Sequence, residues 1–175
     1  MALKDVKLNE QKGCCFTGHR TIPDGKIAEL RERLMNGVQY VYATYGITVF
    51  YTGGALGFDT LAAEAVIACR QLYPEIRLIL AIPCRDQANR WSAADIAKYE
   101  GIKRKADHVV YLSEQYSRGC MMKRNRFMVD HSRVCICYLT KRSGGTAYTV
   151  NYSIENGLRI FNLAMPKGRT KTHEN

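Results

Sequence analysis

The chain has 175 residues, enough for one folded domain with a sizeable core and short for two. Its formal charge of +10 and pI near 9.4 favour anionic partners, either phosphates in a pocket or a nucleic-acid backbone. No apolar run approaches the roughly 20 residues of a membrane span, and the opening MALKDVKLNEQKG lacks a signal-peptide core, so we expect a cytoplasmic protein without membrane association.

In chain order, the first β-rich apolar run is CCFT at 14–17. It leads into TGHR, where Gly18 permits close backbone approach and His19 and Arg20 bring donors suited to a phosphate, a sugar or a base edge. A turn with two solvated polar side chains is the plainer reading. Ile27, Leu30, Leu34, Val38, Val41 and Tyr45 then recur at helical spacing on one face. The second strand, ITVFY at 47–51, is followed by YTGGALGFDTLAAE. There Gly53, Gly54 and Gly57 open a helix whose free N–H groups can cradle a phosphate, and Asp59 stands where an N-cap would. The loop is neither a Walker A segment nor a G-x-G-x-x-G fingerprint.

IRLILAI at 76–82 reads as a strand buried on both faces. Lys103, Arg104 and Lys105 close a predicted helix before the strand HVVYL at 108–112. GCMMKRNRFMVDHSR follows, with Met121, Met122, Met128 and Val129 as an expected buried stripe. Lys123, Arg124 and Arg126 concentrate positive charge near its start, which calls for a compensating anion or local carboxylates. After VCICYL at 134–139, the segment KRSGGTAYT repeats the glycine-rich helix start: Gly144 and Gly145 lead in, and Thr146 is placed to cap the helix or bond a phosphate oxygen. Ala147, Val150, Ile154 and Leu158 form the expected buried face, Asn156-Gly157 the stop signal, and RIFNLA at 159–164 the last strand.

Strands alternating with helices predict an α/β, three-layer α/β/α sandwich of Rossmann-like type, with a mostly parallel sheet of about six strands. One domain is expected over 13–165, with loose ends at 1–12 and 166–175. The seven cysteines are odd in number and mostly sit in apolar segments, which fits reduced core thiols. Cys135 and Cys137 have no partner pair at zinc spacing, and no metal site is expected.

TGHR, GGALGFD, RNRFMVD and SGGT, in that order, resemble the YpsA-like branch of the SLOG superfamily, named for the Smf/DprA proteins and the LOG phosphoribohydrolases. Gln87, Trp91, Tyr99, the Ala106-Asp107 pair and Tyr116 agree with it, and the resemblance runs from about Gly13 to Ile160. It implies a Rossmann-like fold and a pocket for a nucleotide or an ADP-ribose-like molecule, with no required cofactor. In LOG enzymes an arginine-bearing helix and a PGG-x-GT-x-x-E segment remove the base from a nucleoside monophosphate. Arg124 matches that arginine, while the glutamate position falls on Asn151 in an ungapped match, and an amide cannot serve as the acid/base.

On this reading Thr17, Gly18, His19, Arg20, Gly53, Gly54, Gly57, Asp59, Trp91, Arg124, Asn125, Gly144, Gly145 and Thr146 are the ligand-binding residues. Arg124 would neutralise the phosphates, Asn125 and Asp59 would meet ribose, and Trp91 and Tyr99 would either stack on a base or anchor the core. Two other readings stay open: an enzyme cleaving a nucleotide N-glycosidic bond with Asp59 or Glu155 as its carboxylate, and a protein binding single-stranded nucleic acid through its basic surface. Homo-oligomer formation is left open.

Overall fold

The structure is a computed structural model that describes residues 12–166, so the loose ends expected over 1–12 and 166–175 lie almost wholly outside the described residues. Six strands, β1 (Gly13–Gly18), β2 (Val49–Thr52), β3 (Arg77–Ile82), β4 (His108–Tyr111), β5 (Ser132–Tyr138) and β6 (Arg159–Asn162), alternate with five helices. These are α1 (Asp24–Tyr45), α2 (Phe58–Leu72), α3 (Ala93–Lys105), α4 (Cys120–Asp130) and α5 (Gly145–Glu155). Every strand pair is parallel, in the order β4-β3-β2-β1-β5-β6.

That order follows from crossover handedness. From β1 to β4 each strand is laid down on the same side of its predecessor, so right-handed crossovers put α1, α2 and α3 on one face. The chain then returns across the sheet to β5 and β6, and the reversed direction puts α4 and α5 on the other face. Side chains alternate between the two cores accordingly. Phe16, Leu78, Leu80 and Ile136 pack under α1 to α3, while Cys15, Ile79, Ala81 and Cys135 pack under α4 and α5.

Helix α1 buries Leu30, Leu34, Val38 and Val41, each stabilising the fold by roughly 1.5 to 3 kcal/mol. It stops at Gly46, whose φ of 65° lets its N–H reach back to the Tyr42 carbonyl at 3.0 Å. Two expected apolar stripes are corrected. On α5, Ile154 is 48% exposed and the sheet-facing positions are Ala147, Thr149, Val150 and Ser153. The hydroxyls of Thr149 and Ser153 are tolerated there because they bond the carbonyls of Gly145 and Thr149, each at 2.8 Å. On α4, Met122 points outward, and the buried positions are Cys120, Arg124, Met128 and Val129. All seven cysteines are free and buried.

Candidate functional site

Strands β1 and β5 are neighbours, and the direction of strand addition reverses between them, which makes their carboxyl ends the expected ligand crevice of an open parallel sheet. The two ends are joined there. The Thr140 N–H donates to Nε2 of His19 at 3.0 Å, so this nitrogen must be unprotonated. Partial burial, and then the charge of Lys141, holds the His19 pKa below its ordinary value and favours that state. Next to it, Phe58 N–H donates to the His19 carbonyl at 3.1 Å. A Cβ on Gly18 would lie 2.6 Å from the Phe58 Cβ, so only glycine lets α2 start this close to β1. Thr17 is buried on the same strand.

Helix α5 begins at this crevice without a cap. Its N-cap residue is Gly144, at φ 94°, with no side-chain hydrogen bond and no acidic residue in the first turn. Thr146, expected as a capping group, is buried at the second helical position. Lys141 and Arg142 precede the helix, so its free N–H groups, its dipole and two cations share one sign. Helix α3 differs: Ser92 accepts the Asp95 N–H at 3.1 Å, and Asp95 itself offsets the dipole. Glu155, a sequence candidate for catalysis, ends α5, roughly 15 Å along the axis from Gly145.

The loop after β2 is fastened from three directions. Arg124 donates to the Gly53 carbonyl, Gln87 Nε2 to that of Gly54 at 3.1 Å, and Thr60 Oγ1 to that of Ala55 at 3.2 Å. The loop also closes on itself, because the Ala55 N–H donates to Asp59 Oδ2 at 3.2 Å. Asp59 therefore sits in the N–H concavity that the sequence assigned to a phosphate, and the helix N-cap is Gly57 at φ 75°. Burial pushes the Asp59 carboxyl up, against the opposing pull of Arg124 and of the loop N–H groups.

Arg124 is only 5% exposed. Besides Gly53 it reaches the Ala81 carbonyl at 3.5 Å, and its Nε donates to Asn125 Oδ1 at 2.7 Å. Burial depresses its pKa, while Asp59 opposes that shift. A Cβ on Gly53 would fall 2.7 Å from Asp59 Oδ2 and inside the Arg124 guanidinium, so the two charged groups meet across this glycine. Of its donors, Nη1 turns to these backbone carbonyls and Nε to the Asn125 side chain.

A cleft of about 370 Å³ opens between α1, α2 and α3. It gathers Arg20, Gly54, Gly57, Asp59 and Trp91. Trp91 meets Tyr99 edge-on, with ring centroids 5.2 Å apart. The sequence candidates therefore divide. Thr17, Gly18, His19, Gly144, Gly145 and Thr146 are on the strands and helix that form the switch point, the cleft group faces the α1 to α3 side, and Gly53, Arg124 and Asn125 lie on the side of α4. Arg31, Lys98 and Thr60 also line the cleft and were missed. Arg31 had a signal, since it stands one helical turn after Ile27.

A family model for YpsA, described as the YspA SLOG family, matches residues 16–159. The chain is 28% identical over 137 residues to the SPbeta prophage-derived protein YoqJ of Bacillus subtilis, across 71% of this chain and 80% of that one. It is 30% identical over 106 residues to the UPF0398 protein BH1768 of Halalkalibacterium halodurans, across 59% of this chain and 56% of that one. The fold is similar to DNA processing protein A from Streptococcus pneumoniae, with a TM-score of 0.64 and 21% identity over 89% of this chain and 51% of that one. The corresponding protein from Helicobacter pylori, whose structure is described in terms of its single-stranded DNA binding mode, gives 0.64 and 19% over 95% and 72%. The chain spans only about half of the Halalkalibacterium relative and of the pneumococcal protein.

Proposed function

Because this chain belongs to the YspA SLOG family, we propose that it binds a nucleotide or nucleotide-derived small molecule, with the phosphate at the switch point between β1 and β5. The observation that carries this reading is the uncapped start of α5, which has no acidic residue in its first turn, follows Lys141 and Arg142, and is set beside the His19–Thr140 hydrogen bond. Arg124 acts as a positioning residue that fixes the neighbouring loop. Binding is favoured over N-glycosidic hydrolysis because Asn151 stands at the glutamate position of the resembling enzymes, Asp59 is engaged by the Ala55 N–H, and Glu155 is at the far end of α5.

The test is Gly145→Val. A Cβ at Gly145 meets nothing within 4 Å and the residue lacks a positive φ, so the substitution brings neither a Cβ clash nor left-handed strain, and a thermal melt checks that the variant folds. Calorimetric titration with nucleoside mono- and diphosphates should show affinity reduced at least about tenfold, or roughly 1.4 kcal/mol. Unchanged affinity for every nucleotide that the parent binds refutes the assignment.

A second reading is supported by the charge of +10 and by the fold shared with a single-stranded DNA-binding protein. Under it, affinity for a labelled oligonucleotide falls steeply as salt rises, because phosphate contacts release counterions. A pocket-bound mononucleotide shows a much shallower salt dependence.

A further inference from the structure

Helices α4 and α5 pack side by side on one face of the sheet. On their outer surface Tyr148 and Tyr152, one turn apart on α5, hold their rings parallel to within 5°, with centroids 6.4 Å apart. The guanidinium of Arg126, exposed on α4, lies over both, 5.7 and 5.5 Å from the ring centres. Resting on the reading of this chain as a binder of single-stranded nucleic acid, we infer that this surface is a docking site for single-stranded DNA. Bases stack on the two tyrosines, and phosphates meet Arg126 and the cations ahead of the two helices.

Both rings are fixed before any partner arrives. The Tyr148 hydroxyl accepts from Arg126 Nε at 2.7 Å, and that of Tyr152 donates to Asp130 at 2.9 Å. With the hydroxyls engaged and the residues partly exposed, ring surface is what the pair offers, a platform on which any base can stack. A duplex keeps its base faces inside the stack and cannot use it. Among the described residues Arg126 hydrogen-bonds through Nε only, which leaves its two Nη groups for a phosphate. The wider charge distribution matches. Arg118 precedes α4, Lys141 and Arg142 precede α5, and all three are exposed, while the one carboxylate of each helix, Asp130 or Glu155, is its last residue. Cations at the start and a carboxylate at the end both oppose the macrodipole, so helix stability disfavours this placement in each of two neighbouring helices. What the placement does create is a positive field over the helix starts, beside the tyrosines, that attracts an anionic strand. An acidic peptide would satisfy the cations and leave the ring faces unused.

Fluorescence anisotropy with a labelled oligothymidylate of about 12 nucleotides measures the interaction. Tyr148→Leu should weaken binding at least about tenfold, and Arg126→Gln should weaken it and lower the salt slope by about one phosphate contact. Arg104→Gln combined with Lys105→Gln, on α3 and so on the opposite face, should change affinity less than about twofold. The same oligothymidylate annealed to its complement should bind at least about tenfold more weakly, and any affinity for a polyglutamate peptide should be the same in Tyr148→Leu as in the parent. Where a variant does not melt cooperatively, photo-cross-linking of the parent to an iodouracil-bearing DNA strand decides, with Tyr148 or Tyr152 as the expected adduct in mass spectrometry. A parent that binds no oligonucleotide overturns this site and the single-strand reading together. Binding that is unchanged in both variants, falls as far in the α3 variant, is exceeded by that of an oligouridylate of equal length, or cross-links elsewhere overturns the site and leaves that reading standing.

Discussion

The Arg124 guanidinium donates to the carbonyl oxygen of Gly53, so a charged side chain from α4 holds the loop that starts α2 across the sheet. Both groups are inside the protein, and Asp59 faces the arginine from the other side of the glycine. The arrangement is a strut built from a buried cation. Removing one partner of a buried charged pair leaves the other uncompensated.

Arg124→Ala should therefore lower stability by about 3 to 5 kcal/mol, since it strips donors from the Gly53 and Ala81 carbonyls and isolates the Asp59 carboxylate. For a domain of this size that is a drop in melting temperature on the order of 10 °C. Calorimetric melts of parent and variant measure it. A variant that melts with the parent but has lost nucleotide affinity would instead place Arg124 on the ligand.

Asp59 gives stability a specific pH dependence. Burial raises its folded pKa above the unfolded value, so the native state holds the proton more tightly. Its contribution is fully present below the unfolded carboxylate range and is lost as pH rises through the folded pKa. The stability of the parent minus that of Asp59→Asn should accordingly fall as pH rises through the mildly acidic range. Denaturant unfolding of both proteins over that range checks the sign, and a difference that grows with pH would show the carboxylate to be net stabilised by Arg124.

The glycines separate by geometry. Gly54 has φ +66°, and a Cβ there would fall 2.5 Å from Ile82 Cδ1, so Gly54→Ala should cost roughly 1 to 3 kcal/mol. Gly145 is unstrained and open, so Gly145→Ala should be neutral or gain up to about 1 kcal/mol from reduced unfolded-state entropy. Urea midpoints of the two variants test the contrast. Equal losses would refute it.

His19 should titrate below about 6.5, because its Nε2 accepts the Thr140 N–H and protonation breaks that bond. With a lowered folded pKa, the stabilisation is present above the unfolded pKa and lost as pH falls through the folded value. The imidazole resonances followed by NMR give the midpoint, and the neutral form should carry its proton on Nδ1. A midpoint above 6.5 would mean that the bond between the β1 and β5 ends does not form in solution.

Much of this architecture was legible in the residues because a parallel sheet buried on both faces leaves long apolar strands, and right-handed crossovers leave few ways to arrange them. IRLILAI contains β3, VCICYL covers Val134 to Tyr138 of β5, and the stripe from Leu30 to Val41 is the buried face of α1. The errors arose where polar groups entered the interior. Ser153 and Thr149 take sheet-facing positions because their hydroxyls bond within the helix, and periodicity that counts only apolar residues assigns that face to Ile154 instead. Arg124 was singled out by motif, but no local pattern indicates that its donors turn to carbonyls on β3 and the following loop of β2. The glycine-rich loop was read as open to a phosphate, because its closure on Asp59 and its fastening by Gln87 are fixed by tertiary contacts. Trp91 and Tyr99, read both as stacking groups and as core anchors, face each other beside a cleft formed by three separate helices.

The sheet order has a consequence for synthesis on the ribosome. Strands β1 to β4 can pair in the sequence in which they emerge, each beside its predecessor. The other side of β1 is different: Cys15 waits for Cys135, and four helices must be made before that partner appears. Until then β1 is an edge strand with its polar backbone and the thiol of Cys15 uncovered, the condition under which a nascent chain pairs with the wrong neighbour. The proposed phosphate crevice is formed by that same late closure, so a phosphate could be held there only by chains that have completed the return crossing.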